Sequence, residues 1–385
     1  MNEVRRVLVV GAGIGGLTAG AALGQRDIEV DVVEIKDDNV VYGVGLAQPG
    51  NALRAVSKIG VVDQCLAAGF QWDRVFFCDA AGDVVVEIPS KLGNLEPALP
   101  ANNGIARPEL HQILNTAAEK AGAIVKLGAT VHRLDQHPDG VDVLFTDNTQ
   151  STYDLVLGYD GIRSQLRRTL FGDSHDPRYT GAAVWRLTVE RPPEIKQSYL
   201  FQGRRAKAGL IPISDTSMYL LDVTLEPGRP RHDPAQFHEL LRERLEDFTG
   251  IVGEIRDEIT SPDGIVYSPI EEVDLPPPWY KDRALVLGDA AHASAPHIIQ
   301  GASMAIEDAI VLAELAVNAD PIPQKLATFM ERRYPRCKFV QDVSHQILEA
   351  EMNTDPEFVA MRDAHAAEFL PGQLGAVDDY LAQPI

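Results

Sequence analysis

The chain has 385 residues, 45% hydrophobic and 24% charged, with a formal net charge of −21. That is a globular composition with room for two domains or one large one, and so acidic a balance excludes nucleic acid and anionic membrane surfaces as partners. No apolar run approaches the length of a spanning helix, the first strand starts too early for a signal peptide, and three scattered cysteines (Cys65, Cys78, Cys337) form neither a disulfide framework nor a metal cluster, so a reducing, cytoplasmic setting is expected.

The chain opens with one supersecondary unit. Residues 6–10 form a strand rich in β-branched side chains, Gly11-Ala12-Gly13-Ile14-Gly15-Gly16 follows without a gap, and 17–23 is a helix of small and apolar residues. A second strand covers 29–33 and ends at Glu34. This is the dinucleotide-binding fingerprint in the context it requires: Gly11 permits the tight turn, Gly13 lets the backbone approach a pyrophosphate, and Gly16 lets the helix pack on the strand. Glu34 is placed to accept from ribose hydroxyls, and an acid there selects a free 2′-hydroxyl, hence FAD or NAD rather than NADP. The glycine-rich stretch 42–51 has no periodicity and reads as a loop, either a plain connection or a cofactor contact. A short helix over 52–59 then ends at Gly60.

Residues 74–78 and 83–88 read as a hairpin around Ala80-Ala81-Gly82, an excursion into a second sheet. Arg107-Pro108 starts a helix with apolar residues at 110, 113, 114 and 117. Arg107 is either a solvated helix-start arginine or a pyrophosphate clamp. Strands follow at 124–127, 141–145 and 154–158, the last running into Tyr159-Asp160-Gly161-Ile162-Arg163-Ser164 and the basic pair Arg167-Arg168. Four β-rich runs at 183–190, 198–202, 208–211 and 218–224 predict an antiparallel sheet, with Arg204, Arg205 and Lys207 as a local positive cluster. A helix is expected over 235–248, and Pro276-Pro277-Pro278 returns the chain to a buried strand at 284–287. Gly288-Asp289, a loop with Pro296 and His297, and Gln300-Gly301-Ala302-Ser303 lead into an apolar helix over 304–315. Such an arrangement suits a polyhydroxylated, electron-rich ligand: the turn carboxylate accepts from hydroxyls, and the helix start favours negative charge. Residues 325–348 read as a mostly surface helix, and the remainder is weakly patterned, a short cap or a loose tail.

Three strand-end motifs in this order resemble the single-component (group A) FAD-dependent aromatic hydroxylases, the p-hydroxybenzoate hydroxylase-like flavoprotein monooxygenases, over roughly residues 5–345. The resemblance assigns Gly11 to Gly16 with Glu34 to the AMP half of FAD, Asp160-Gly161 to a motif associated with both FAD and NAD(P)H, and Gly288-Asp289-Ala290-Ala291-His292 to the second FAD motif, where Asp289 meets the ribityl chain. It puts Arg107 near the FAD phosphates, Val131 beside the adenine, and Gly301, Ala302 and Ser303 at the pyrimidine edge of the flavin. Ile14, Gly15, Ile35, Lys36 and Ala47 complete the expected cofactor contacts. The implied fold is α/β: a Rossmann-type FAD-binding domain (1–73, 101–177 and 274–345), an inserted α+β substrate-binding domain with a mostly antiparallel sheet (74–100 and 178–273), and a C-terminal helical cap or tail (346–385). Two positions depart from the family pattern. Ile299 stands where Pro-x-x-Gly-Gln-Gly has its first glycine, near the expected isoalloxazine, and Tyr159 replaces a small residue. The GWxWxIP pattern of flavin halogenases is absent, as is a second GxGxxG for a resident nicotinamide.

The implied reaction hydroxylates a small aromatic or heteroaromatic substrate, with or without a carboxylate, using resident FAD, transient NADH or NADPH, and O2, through a C4a-hydroperoxyflavin. An FAD-dependent oxidase or reductase without oxygen insertion, and a non-catalytic dinucleotide-binding protein, are the competing readings. His297 is the nearest motif-borne candidate for a catalytic base, its alternative being a structural loop histidine; His292 packs or bonds locally. Arg186, Gln202, Arg204 and Tyr219 on the inferred substrate sheet, with Pro296 and His297, are candidate substrate contacts. Arg186 or Arg204 would partner a substrate carboxylate, but alternate strand residues face opposite sides, so not all line one pocket. No metal site is expected, and the protein is read as a monomer or homodimer.

Overall fold

Near-continuous apolar runs such as Arg6–Val10 and Leu155–Gly158 suit strands buried on both faces. In the computed structural model, which describes residues 3–38, 43–204 and 206–385, they lie side by side at the centre of a six-stranded sheet. Its order is Tyr280–Lys281, Ala284–Val286, Leu155–Gly158, Arg6–Val10, Glu29–Glu34, Ile124–Leu127. All neighbours pair in parallel except the edge strand Tyr280–Lys281. The helix Ile14–Gly24 packs against both Arg107–Lys120 and Gly301–Ala316, and its small residues allow that close approach. Together these elements enclose the larger apolar core.

The second unit is a seven-stranded sheet, ordered Val266–Glu272, Arg178–Glu190, Ser217–Leu225, Ala206–Pro212, Ser198–Gln202, Arg74–Asp79, Val84–Pro89. It is antiparallel apart from the parallel pair Ser198–Gln202 and Arg74–Asp79. Period-two alternation splits its side chains between two faces. Trp185, Leu210 and Leu220 point into a core with Leu241, Phe248 and Val252 from the helices Phe237–Arg244 and Gly250–Glu258. The opposite face carries Arg186, Tyr219 and Leu221.

Three expectations need correction. The stretch read as a loop contains the strand Gly45–Pro49, paired with Asn102–Ala106, because a sheet partner distant in sequence overrides local glycine content; Tyr42 lies outside the described residues. The helix expected over 235–248 is a 3-10 turn, Pro234–Gln236, followed by the shorter helix Phe237–Arg244. The helix Ile322–Glu351 runs unbroken past 345 and is not mostly surface: Phe329, Arg333, Arg336 and Cys337 are buried on one side. Of the two readings of the C-terminus, the helical one is present, as Pro356–Leu381, which contains Pro371.

Candidate active site

The first strand delivers the glycine turn. Gly11 has φ +106°, and its N–H donates to the Val33 carbonyl at 2.7 Å. A Cβ on Gly16 would lie 1.9 Å from the Gly11 carbonyl oxygen, whereas one on Gly13 would meet nothing within 4 Å. The first glycine therefore serves the turn, the last serves packing, and the middle one faces open space. The Glu34 carboxylate is fixed beside the turn, accepting from the N–H of Ala12 at 3.0 Å and of Lys36 at 3.1 Å. Ala129 N–H donates to the Glu34 carbonyl, which brings half-buried Val131 to the same end of the sheet. Ile35 is exposed.

A cavity of about 520 Å³ runs from this turn between the two sheets. Gly13, Ile14, Gly15, Ala47, Arg107, Gly161, Asp289, Gly301 and Ala302 line it, so most of the expected cofactor residues do converge. Asp160 is the exception within its motif. Its carboxylate turns inward, accepting from the Ser164 hydroxyl at 2.6 Å and the Leu166 N–H at 3.0 Å. Burial pushes its pKa up against those bonds. It braces the turn, and Gly161 alone of the pair lines the cavity. Ser303 is buried behind the cavity wall, its hydroxyl without a hydrogen-bond partner. The Asp289 carboxylate is exposed at the start of the short helix Asp289–His292. No side chain caps the start of Gly301–Ala316, which leaves its first N–H groups available at the cavity. Ile299 has φ +52°. That left-handed conformation strains a β-branched residue by about 1–2 kcal/mol, a physical reason for a glycine in the related pattern. Its side chain packs on the cluster of Ala47, Trp72 and Tyr219.

On the facing sheet, Arg186 and Tyr219 line the cavity. Among the described residues no carboxylate lies within ion-pair distance of Arg186, its Nε is buried without an acceptor, and burial lowers its pKa. Burial also pushes the Tyr219 phenol up to about 12, so it stays neutral. Gln202 and Arg204 are not in the cavity. Gln202 bonds to the neighbouring Gly203 carbonyl, and Arg204 is 83% exposed beside Asp247. Arg205 lies outside the described residues. Pro296 lines the rim, exposed. His297 contributes backbone to the wall, but both ring nitrogens are sealed from solvent and from the cavity. Its Nε2 lies 3.2 Å from Glu351, within ion-pair distance but poorly aligned for a hydrogen bond. Glu351 also holds Lys207 at 2.7 Å. Burial, then Lys207, lowers the imidazole pKa, with Glu351 opposing. Contact with a substrate proton is therefore denied to His297 in this conformation.

A family model described as an FAD binding domain matches residues 5–342. The chain belongs to the FAD-dependent aromatic hydroxylase family. It is 30% identical to a Bacillus subtilis protein named as a candidate FAD-dependent monooxygenase, YetM, over 92% of this chain and 95% of that relative. It is 30% identical to 2-heptyl-3-hydroxy-4(1H)-quinolone synthase of Pseudomonas aeruginosa, over 88% of this chain and 87% of the relative. Klebsiella pneumoniae HpxO, solved with FAD and uric acid, shares the fold with a TM-score of 0.88 at 23% identity, covering 99% and 97% of the two chains. The hydroxylase is thus an FAD-dependent oxidoreductase of the monooxygenase class, and NAD(P)H and O2 are the family's co-substrates. The residues present fit FAD: the opened backbone at Gly13, the exposed Asp289 carboxylate and the uncapped helix start line one cavity.

Sequence reasoning missed what holds these pieces in the hydroxylase. Asp308 accepts from the Gly288 N–H at 3.1 Å, from His292 at 2.7 Å and from Arg333 at 2.8 Å. Glu307 takes Arg333, Arg336 and Asn51, and Asn51 also bonds Gln300. His292, Asp308 and Cys337 converge as cation ligands would, yet Arg333 already neutralises Asp308. Arg167 is buried and donates to the Ala290 and Ile162 carbonyls, tying two cavity turns together. His111 links the glycine loop to the helix Arg107–Lys120 through the Ala12 carbonyl at 2.9 Å. One signal was available: Glu307-Asp308 is an acidic pair in the middle of a mostly apolar helix, a pattern that demands buried cations.

Proposed function

We propose that this hydroxylase inserts one oxygen atom into an electron-rich aromatic ring that carries an acidic group. The observation carrying this reading is Arg186, a largely buried cation with no carboxylate partner among the described residues, on the cavity wall that faces the Gly301 helix start. A carboxylate or phenolate of the substrate supplies the missing partner. Bound FAD would supply the redox chemistry that links NAD(P)H oxidation to O2 activation. The chain's residues position and insulate that chemistry. Glu34 would accept from the ribose, Arg107 would pair with the pyrophosphate, Asp289 would accept from the ribityl hydroxyls, and the N–H groups of Gly301 and Ala302 would offset negative charge at the pyrimidine edge. Residues 74–100 and 178–273 act as the substrate-binding domain and the remainder up to 345 as the FAD-binding domain. Relatives named for quinolone and urate rings support an aromatic or heteroaromatic substrate. One chain encloses the cavity, which suits a monomer or homodimer, and three buried unpaired thiols suit a cytoplasmic setting.

The test is a screen of aromatic acids, phenols and hydroxylated heteroaromatics for substrate-stimulated NAD(P)H oxidation, with product mass analysis. A product heavier by one oxygen, lost together with ring affinity in Arg186→Met, is the expected result. Stoichiometric peroxide with every compound would overturn it in favour of an oxidase.

A further inference from the structure

The cavity is far longer than an aromatic acid. Arg186 stands in register with Leu221, Leu221 with Gly209, Gly209 with Leu200, and Leu200 with Phe77. This row crosses five adjacent strands in four steps, about 19 Å at the usual strand spacing. It lies on the cavity face, and Arg186 is its single charged residue. At the midpoint Gly209 presents no side chain; a Cβ there would sit 2.9 Å from Leu200, so the two flanking leucines close over it as a continuous apolar floor. Lys207 reaches the same cavity but is neutralised by Glu351. Beyond Phe77 the wall is formed by Ile88 and by Leu374 and Val377 of the C-terminal helix. That end is anchored: Asp378 accepts from the Ser90 hydroxyl at 2.9 Å and the Lys91 N–H at 2.7 Å, and Lys91 pairs with Asp379.

We propose that the substrate bears an extended apolar substituent on the side of the ring away from its acidic group, lying along the Leu221–Leu200–Phe77 row and ending against Leu374 and Val377. This rests on the acidic-ring reading above. A ring anchored at Arg186 covers the first strands only. The floor of the remaining lane is apolar, and polar groups at its margins are already engaged, Lys207 by Glu351 and Ser90 by Asp378, so filling it with hydrocarbon is favourable. The C-terminal helix is then a specificity element that measures chain length, and Arg186 fixes the other end.

The experiment uses FAD-loaded enzyme and a homologous series, 2-hydroxybenzoate and its 4-alkyl derivatives (para to the carboxylate) from ethyl to heptyl, with dissociation constants read from the change in flavin fluorescence. Affinity should rise by about fourfold for each methylene buried, up to an optimum length. Leu374→Trp should shorten that optimum and Val377→Ala lengthen it, with binding of the unsubstituted parent unchanged in both. Parent binding with no gain along the series, or an optimum that neither variant moves, would overturn the proposal while leaving the acidic-ring reading intact. Failure of every member to bind, parent included, would overturn both.

Discussion

At the scale of single residues, the middle and last glycines of the turn separate fold from ligand. Gly16→Ala forces a Cβ to 1.9 Å from a backbone oxygen, so it should lower Tm in the apoprotein and prevent flavin retention. Gly13→Ala meets nothing in the protein, so apo Tm should hold within a few degrees while FAD affinity falls. Thermal melts with and without FAD distinguish the two. Asp222 is a different kind of residue. It is fully buried behind the seven-stranded sheet with neither carboxylate oxygen hydrogen-bonded among the described residues, and burial pushes its pKa up to about 8, against Arg244. A raised folded pKa means stability is fully present below the ordinary carboxylate value and is lost as pH rises toward 8. Asp222→Asn should therefore stabilise the protein at pH 8 and have little effect near pH 4. Urea midpoints at the two pH values check this; an equal effect at both would show that the carboxyl is not neutral in the fold.

At the scale of elements, the turn Gly288-Asp289 and the start of the helix Gly301–Ala316 are held by one buried network. Its acids lie below the usual carboxylate range. Burial alone would raise both, but Arg333 and Arg336 outweigh it at Glu307, and His292 and Arg333 bring Asp308 down to about 2. Depressed folded values give stability above the ordinary carboxylate pKa that disappears as pH falls through about 4 toward 2. Arg333→Met leaves two buried carboxylates short of a partner, and should cost about 3–5 kcal/mol at pH 7. The deficit should narrow at pH 3, where protonation relieves the acids. A deficit independent of pH, by chemical unfolding at pH 7, 5 and 3, would assign the loss to packing instead.

At the scale of the whole molecule, the C-terminal helix closes a cavity whose other walls come from both sheets. Arg54 donates to the carbonyls of Leu381, Ala382 and Gln383, and Arg336 to those of Tyr380 and Leu381, so the chain end is clamped to the nucleotide-side core. Removing residues 356–385 takes away the Leu374 and Val377 wall and admits water. FAD should remain bound, and the fraction of NAD(P)H oxidation ending as peroxide should rise several-fold. Asp378→Ala, which frees only the anchor to Ser90 and Lys91, should move the same ratio less. Peroxide assays at saturating NAD(P)H check both, and unchanged coupling in the truncated enzyme would remove the helix from the site.

Local chemistry sufficed for the nucleotide end. A strand, a glycine turn, a helix and Glu34 lie within thirty residues of one another, so their backbone requirements are written into adjacent positions and stayed legible. The turn at Gly288-Asp289 and the helix start at Gly301 were legible for the same reason. What depended on long-range packing was not. The strand Gly45–Pro49 exists because Asn102–Ala106 pairs with it, and Asp160 looked like a ligand because its inward hydrogen bonds leave no mark in the motif. Sheet position put Arg186 in the cavity, whereas Arg204 falls in the turn between Ser198–Gln202 and Ala206–Pro212 and stays in solvent, and helix packing set His297 against Glu351 of Ile322–Glu351. The sequence alone therefore determined the dinucleotide site and its family. Only the tertiary structure decided the shape of the substrate cavity, because its charged end, its apolar floor and its closing wall come from strands and a helix that meet nowhere along the chain.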